Sequence, residues 1–169
     1  MIVIVFGLPG SGKTFFASRL AAMIDADYMS SDRVRKKLFV SRTYLIKEKL
    51  TVYDKMLEEM KEVVRQNKNL VLDATFYNNN VRKKFLDEVN GARNIFFIEV
   101  KAEEFIITKR LQEKRVDSDA DYVVYKTIKN KWEPLHEDHL ILESTNDNIN
   151  DMLNKAADYL HLKDDNRAN

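Results

Sequence analysis

The sequence predicts an α/β fold in which a mostly parallel five-stranded sheet is flanked by helices. Short apolar runs alternate along the chain with longer segments of helical periodicity, and this alternation is typical of parallel sheets. The 169 residues are 44% hydrophobic, which suits one compact core, because single domains usually hold about 100–200 residues. A glycine-rich octet follows the first apolar run directly, as expected where a strand turns tightly into a helix.

The strand candidates are continuous runs of apolar, often β-branched residues, the pattern of strands that are buried on both faces. They cover residues 2–6, 26–30, 69–75, 93–100 and 139–144. Helical periodicity between them predicts helices over residues 14–24, 47–67, 81–89, 102–115, 120–132 and 148–160. We therefore expect a single domain over residues 1–162, with a helical lid over about 103–134 and a frayed C-terminal tail over 163–169.

The charge balance limits the class of partner. The chain has 28 Lys and Arg residues against 27 Asp and Glu, a net charge of +1, so a contact with nucleic acid has to use a local basic patch. The absence of cysteine excludes disulfides and cysteine-ligated zinc. The apolar first segment is shorter than the roughly 20 residues that span a bilayer and lacks the basic region of a signal peptide. We expect a cytoplasmic protein with no membrane partner.

The octet "GLPGSGKT" at residues 7–14 matches the pattern G-x-x-x-x-G-K-[ST] at every fixed position. Its glycines allow the backbone to turn and aim N–H groups inward, and the following helix adds the positive end of its dipole. Lys13 would bring a full positive charge to the outer phosphates, and Thr14 would offer its hydroxyl to Mg²⁺. The octet predicts a P-loop NTPase fold and a nucleoside triphosphate bound by Gly7, Pro9, Gly10, Ser11, Gly12, Lys13 and Thr14.

A second group of charged residues follows the second strand candidate, in the segment "SSDRVRKKL" at residues 30–38. The carboxyl ends of parallel strands face the ligand crevice, so Asp32 could accept the proton of an attacking hydroxyl. Arg35 is one helical turn further on and could either bind a phosphate of the acceptor or orient Asp32 by its charge. In the alternative interpretation, Asp32 is a helix N-cap and the basic residues after it form a solvated face.

Two further segments carry candidate site residues. Within the segment "NLVLDAT" an apolar run ends in Asp73, which resembles the carboxylate that orients magnesium in P-loop proteins, although turn residues also commonly end strands. Thr14 and Asp73 are therefore the predicted metal ligands. The segment 108–134 could form a lid whose arginines neutralise charge during phosphoryl transfer, or a solvated basic helix; its basic residues include Lys109, Arg110, Lys114 and Arg115.

In this order, over residues 1–145, these motifs resemble the P-loop kinases of the polynucleotide-kinase-like group, near the zeta-toxin and chloramphenicol-phosphotransferase kinases, within the AAA-type ATP-binding proteins. The matching segments are "GLPGSGKT", "SSDRVRKKL", "VLDATFYNNNVRKKF" and "KRLQEKRVDSDADYVVYKTIKNKWEP". The resemblance implies ATP and Mg²⁺ as cofactors, and a general base at Asp32 followed by Arg35. Asp73, Thr75 and Arg82 match the third segment of the family.

The leading hypothesis is an ATP-dependent phosphotransferase that acts on a hydroxyl, with catalytic roles for Lys13, Asp32, Arg35, Arg110 and Arg115. A polynucleotide 5′-hydroxyl of RNA or DNA is the favoured acceptor, because residues 33–49 carry seven basic residues and one acid. A small hydroxyl compound, such as a sugar, antibiotic or nucleotide-sugar, is the alternative. A nucleotide-dependent binding switch without phosphoryl transfer is the alternative from another class. The sequence leaves the oligomeric state open.

Overall fold

The computed structural model describes residues 1–41, 45–89, 95–113 and 120–162. Its five strands are β1 (Ile2–Phe6), β2 (Asp27–Ser30), β3 (Leu70–Asp73), β4 (Ile95–Lys101) and β5 (Leu140–Glu143). The helices in these residues are α1 (Lys13–Met23), α2 (Ser31–Leu38), α3 (Ile46–Arg65), α4 (Asn79–Val89), α5 (Glu104–Gln112), α6 (Tyr122–Asn130) and α7 (Ile149–Tyr159).

The strands form one sheet in the order β2-β3-β1-β4-β5, and every pairing between them is parallel. The predicted α/β fold is confirmed, and the sheet is parallel throughout rather than mostly so. Because parallel strands share their direction, the loops that follow all five strands leave from one edge of the sheet. The register brings Asp73, the last residue of β3, opposite Ser30 on one side and Val5 on the other.

Two apolar cores cover the two faces of the sheet. Alternate residues of β1 enter different cores, so Ile4 packs with α3 and α4 while Val5 packs with α1 and α7. Burial on both faces is the reason that β1 reads as an unbroken apolar run. Each such fully buried side chain contributes about 1.5–3 kcal/mol, so the central strand is a rigid base for the loop that follows it.

The helix α2 was not among the six predicted helices. It begins at Ser31, directly after β2, and only two of its eight residues, Val34 and Leu38, are apolar, so the segment is too short for its periodicity to predict a helix. The predicted helix over 102–115 corresponds to α5, which ends at Gln112, and residues 114–119 lie outside the described residues. The predicted C-terminal tail also lies outside them. Within the described ranges, no helix has the length and apolar character needed to cross a membrane.

Candidate active site

The glycine-rich octet at residues 7–14 forms the turn between β1 and α1. Gly7, Gly10 and Gly12 all have positive φ, of 152°, 81° and 94°. At Gly7 a Cβ atom would lie 2.3 Å from the carbonyl oxygen of Val100, so only glycine allows the loop to pass this close to β4. Because Gly12 has a left-handed conformation, the chain enters α1 at Lys13 without a side-chain cap.

The turn leaves backbone donors without acceptors. Within residues 1–41, 45–89, 95–113 and 120–162, nothing accepts a hydrogen bond from the backbone N–H of Gly12, Lys13 or Thr14. Unpaired N–H groups at the start of a helix form a positively polarised cradle for an anion. The octet therefore has the geometry that its sequence predicts for a phosphate-binding loop.

Asp73 lies beside this cradle and is only 1% exposed. The Tyr28 hydroxyl donates a hydrogen bond to Asp73 Oδ2 at 2.8 Å, whereas the buried Oδ1 atom has no hydrogen-bond partner among the described residues. Burial raises the pKa of the Asp73 carboxyl above its ordinary value. The positive charge of Lys13 and the neighbouring hydroxyls of Thr14 and Tyr28 act in the opposite direction.

An unpartnered carboxylate oxygen beside a threonine hydroxyl suits a hard cation such as Mg²⁺. The two predicted metal ligands, Thr14 and Asp73, are therefore neighbours. The described part of the chain contains no cluster of three acidic or histidine residues that could hold a metal. A cation at this position would have to complete its ligand set with phosphate oxygens and water, which is the usual arrangement for Mg²⁺ bound with a nucleotide.

Asp32 lies in the first turn of α2, and its side chain is 24% exposed. The N-cap residue of this helix is Ser30, so the interpretation of Asp32 as the N-cap is wrong. Arg35 Nη1 lies 3.1 Å from Asp32 Oδ1, and Arg35 Nε lies 2.9 Å from Glu48 Oε1 on α3. Arg35 is 6% exposed and is therefore held in place between two carboxylates.

Sequence reasoning missed Glu48. The signal was available, since Glu48 is the single acid in the otherwise basic stretch 33–49, and it is 6% exposed. A buried carboxylate is expected to have a cationic partner, because an unpaired buried charge is costly. At least one arginine of this stretch, Arg35, is therefore buried and paired rather than exposed to solvent.

Two cavities meet at Lys13 and Asp32. The first, here called the outer cavity, encloses about 570 Å³ between the phosphate loop, the end of α5 and the loop after β5; its lining includes Gly10, Gly12, Thr14, Arg110, Thr145 and Asn146. The second, here called the inner cavity, encloses about 50 Å³ between α2, α3 and α6; its lining includes Arg35, Lys49, Tyr53, Asp73, Tyr77 and Val124. Lys13 and Asp32 line both cavities.

Arg110 lies on the outer side of the phosphate loop. Its guanidinium donates to the carbonyl oxygens of Gly10 at 3.3 Å and Ser11 at 3.1 Å. It also donates to the carbonyl oxygen of Thr145 at 2.7 Å and to the side chains of Ser144 and Asn146, both at 3.2 Å. Arg110 thus joins the phosphate loop to the loop after β5, and a direct contact with phosphate stays a prediction.

The helices of the predicted lid pack against each other. Lys129 of α6 lies 2.7 Å from Glu104 of α5, which also accepts a hydrogen bond from Tyr122 at 3.0 Å. Val124 and Ile128 of α6 line the inner cavity. The lid residues Lys114 and Arg115 lie outside the described residues.

Arg82, which matches the arginine of the family's third segment, is 1% exposed and does not line either cavity. Its guanidinium donates to the carbonyl oxygen of Phe76 at 2.5 Å, to the Asn79 side chain and to the carbonyl oxygens of Glu133 and Pro134. Arg82 therefore ties the loop after β3 to the segment after α6. Thr75, in the same loop, lines the inner cavity.

The structure thus brings Lys13, Thr14, Asp32, Arg35 and Asp73 together at the carboxyl edge of the sheet, in the arrangement expected for a P-loop NTPase fold. Residues 2–135 match the family model described as AAA domain (AAA_33), and the chain belongs to that family. The narrower polynucleotide-kinase-like assignment stays a prediction.

Solved structures of similar fold include a sugar kinase from Janibacter sp. HTCC2649, with a TM-score of 0.74 and 14% identity over 95% of this chain and 94% of that one. A gluconokinase from Sinorhizobium meliloti 1021 has a TM-score of 0.70 and 13% identity, and covers 95% of each chain. The Mycobacterium tuberculosis APS kinase CysC, in complex with AMPPNP and APS, has a TM-score of 0.69 and 15% identity over 95% of this chain and 96% of that one. No curated protein matches the chain.

Proposed function

We propose that this protein transfers the γ-phosphate of ATP to a hydroxyl group of a small molecule. The observation that carries the proposal is the meeting of the two cavities at Lys13 and Asp32. A nucleotide whose phosphates occupy the loop would direct its terminal phosphate to this point from the outer cavity. An acceptor in the inner cavity would approach the same point from the other side, so that donor and acceptor react in line.

In this mechanism Lys13 and the unpaired backbone N–H groups bind the β- and γ-phosphates. Asp32 accepts the proton of the acceptor hydroxyl as its oxygen forms a bond to the γ-phosphorus and the bond to the leaving ADP oxygen breaks. Thr14 and Asp73 would hold Mg²⁺, which when bound neutralises phosphate charge. Arg35, fixed by Glu48, orients the Asp32 carboxylate.

The lid arginines receive different proposed roles. Arg110 already donates to two carbonyl oxygens of the phosphate loop, so we assign it to bracing that loop. Arg115, which lies outside the described residues, stays the second proposed catalytic arginine, because phosphoryl transfer commonly uses an arginine to stabilise charge on the transferred group.

A small acceptor fits the inner cavity better than a polynucleotide does. The cavity encloses about 50 Å³, which is room for a few water molecules or a small substrate group. Arg35, the candidate residue for binding a phosphate of a nucleic-acid acceptor, is buried between two carboxylates. The sugar kinase, the gluconokinase and the APS kinase of similar fold are consistent with this choice.

The test uses γ-labelled ATP with Mg²⁺ and three acceptor sets: small hydroxyl compounds, 5′-hydroxyl RNA and 5′-hydroxyl DNA. We expect label in a small-molecule product. Asp32→Asn should lower the transfer rate by about 10²–10⁴ while ATP binding is retained, because it removes the proton acceptor but preserves shape. Asp54→Asn, an exposed change on α3, is the matched control and should transfer at the wild-type rate.

If label appeared only in an oligonucleotide product, the proposed small acceptor would be wrong and a polynucleotide would be the acceptor. If label were released only to water, at the same rate in wild type and Asp32→Asn, transfer to an acceptor hydroxyl would be refuted. That result would favour the binding switch.

A further inference from the structure

A lysine of the inner cavity forms no ion pair with a carboxylate among the described residues. Lys49 lies on α3 and is partly buried, and its ammonium is 5.3 Å from the centroid of the Tyr77 ring. In the part of the chain that the structure describes, no Asp or Glu forms an ion pair with it. The adjacent acid, Glu48, is instead paired with Arg35.

The surroundings of Lys49 disfavour its positive charge. Burial lowers the pKa of the Lys49 ammonium, and the positive charges of Arg35 and Lys131 lower it further. A partly buried cation among other cations is costly unless an anion accompanies it. The ring of Tyr77 offers only the weaker attraction of an aromatic face for a cation.

The other charges around the inner cavity are already engaged. Arg35 lies between Asp32 and Glu48, and Lys13 acts on Asp73 and begins the helix at the phosphate loop. Lys49 is the remaining cation among the residues known to line the cavity. The apolar part of the lining, which includes Val52, Val124 and Ile128, lowers the local dielectric constant and would strengthen a charge pair formed there.

We propose that the acceptor is a small hydroxylated anion, whose carboxylate or phosphate group binds Lys49 while its hydroxyl faces Asp32. The proposal rests on the proposed function, because it concerns the acceptor of that reaction. It places the anion contact at Lys49, which forms no ion pair within the described residues, rather than at Arg35, for which the sequence left open a contact with a phosphate of the acceptor. Tyr77 and the apolar wall on α6 would contact the carbon skeleton.

The first experiment compares matched acceptors that differ in an anionic group: gluconate with sorbitol, and glycerate or glycerol 3-phosphate with glycerol. With γ-labelled ATP, the wild type should phosphorylate an anionic member at least tenfold more efficiently, in kcat/KM, than its neutral counterpart. Lys49→Gln should raise KM for that anion tenfold or more and leave KM for ATP and kcat nearly unchanged. Lys47→Gln, an exposed change on the same helix, is the matched control and should behave as wild type.

Efficient transfer to neutral compounds alone would overturn the anion assignment and leave the proposed function standing. Equal loss of activity toward anionic and neutral acceptors in Lys49→Gln would also overturn the anion assignment. Lys49 would then support the structure of the site without binding the anionic group of the acceptor.

A second experiment does not depend on transfer. Acetylation of Lys49 by acetic anhydride, followed by peptide mass spectrometry, should be slowed severalfold by a bound anionic acceptor and not by its neutral counterpart. Acetylation of Lys47 should respond to neither. Selective protection without transfer to any acceptor would support the anion site and refute the phosphotransferase. Neither transfer nor protection would overturn both proposals.

Discussion

The buried ion pair between Arg35 and Glu48 allows a stability prediction of defined size. Arg35 Nε lies 2.9 Å from Glu48 Oε1, and the two side chains are 8% and 5% exposed. Removing one partner of such a pair costs about 3–5 kcal/mol, because the other charge stays buried without compensation. In Glu48→Gln, the side chain keeps its size and shape and Arg35 keeps Asp32 at 3.1 Å, so we expect a smaller loss of about 2 kcal/mol.

Urea denaturation measures this loss. With a slope of about 2 kcal/mol per M, the expected decrease in unfolding free energy lowers the midpoint by about 1 M. Glu58→Gln is the matched control on α3, since Glu58 is paired with Lys55 at 2.9 Å but is exposed to solvent. We expect its midpoint to be unchanged, because water screens an exposed pair. Arg35→Met and the double variant with Glu48→Gln complete a double-mutant cycle with an expected coupling of about 0.5–3 kcal/mol.

Two results would refute this reasoning. If Glu48→Gln and Glu58→Gln had the same midpoint, the buried pair would not contribute to stability. If the effects of Arg35→Met and Glu48→Gln were additive, the two side chains would act independently. Either result would remove Glu48 as the residue that fixes Arg35 against Asp32.

Two further predictions concern the nucleotide and metal positions. Gly12→Ala places a Cβ atom 2.7 Å from Ser144 Oγ at a φ of +94°, with a backbone cost of about 1–2 kcal/mol. We expect the variant to fold and to bind ATP more weakly in calorimetry. ATP binding of wild-type strength would contradict this. Tyr28→Phe removes the 2.8 Å hydrogen bond to Asp73. The Mg²⁺ concentration for half-maximal transfer should therefore rise severalfold, with little change in KM for ATP. An unchanged Mg²⁺ dependence would show that Tyr28 does not position the carboxylate.

Local patterns were sufficient for the fold and the phosphate loop. The run "IVIVF" predicts a strand with both faces buried, and β1 is the central strand. The spacing of the glycines and Lys13 predicts a turn into a helix, and α1 begins at Lys13. Asp73 was predicted as the end of a strand, which it is. These features depend on residues that are neighbours in the chain, so the sequence displays them directly.

The same patterns were less informative about α2 and the basic stretch after it. Val34 and Leu38 are the only two apolar residues of α2, which is too few to predict a separate helix from periodicity. The sequence shows seven basic residues in 33–49 but not which of them are buried or paired. That distinction depends on how α2 packs against α3, which brings Arg35 to Glu48 across a separation of thirteen positions.

By itself, the sequence determined the layered α/β class, the glycine-rich turn into α1 and the acids near the carboxyl ends of β2 and β3, because each rests on a local period or a fixed spacing. The tertiary structure alone decided which charges meet. In the folded chain, Arg35 lies between two carboxylates, and Asp73 accepts a hydrogen bond from a tyrosine hydroxyl. Arg110 donates to carbonyl oxygens of the phosphate loop, and Lys49 pairs with no carboxylate in the described residues. The physical reason is that charge pairing depends on distance and burial in three dimensions, and neither is encoded in the separation of residues along the chain.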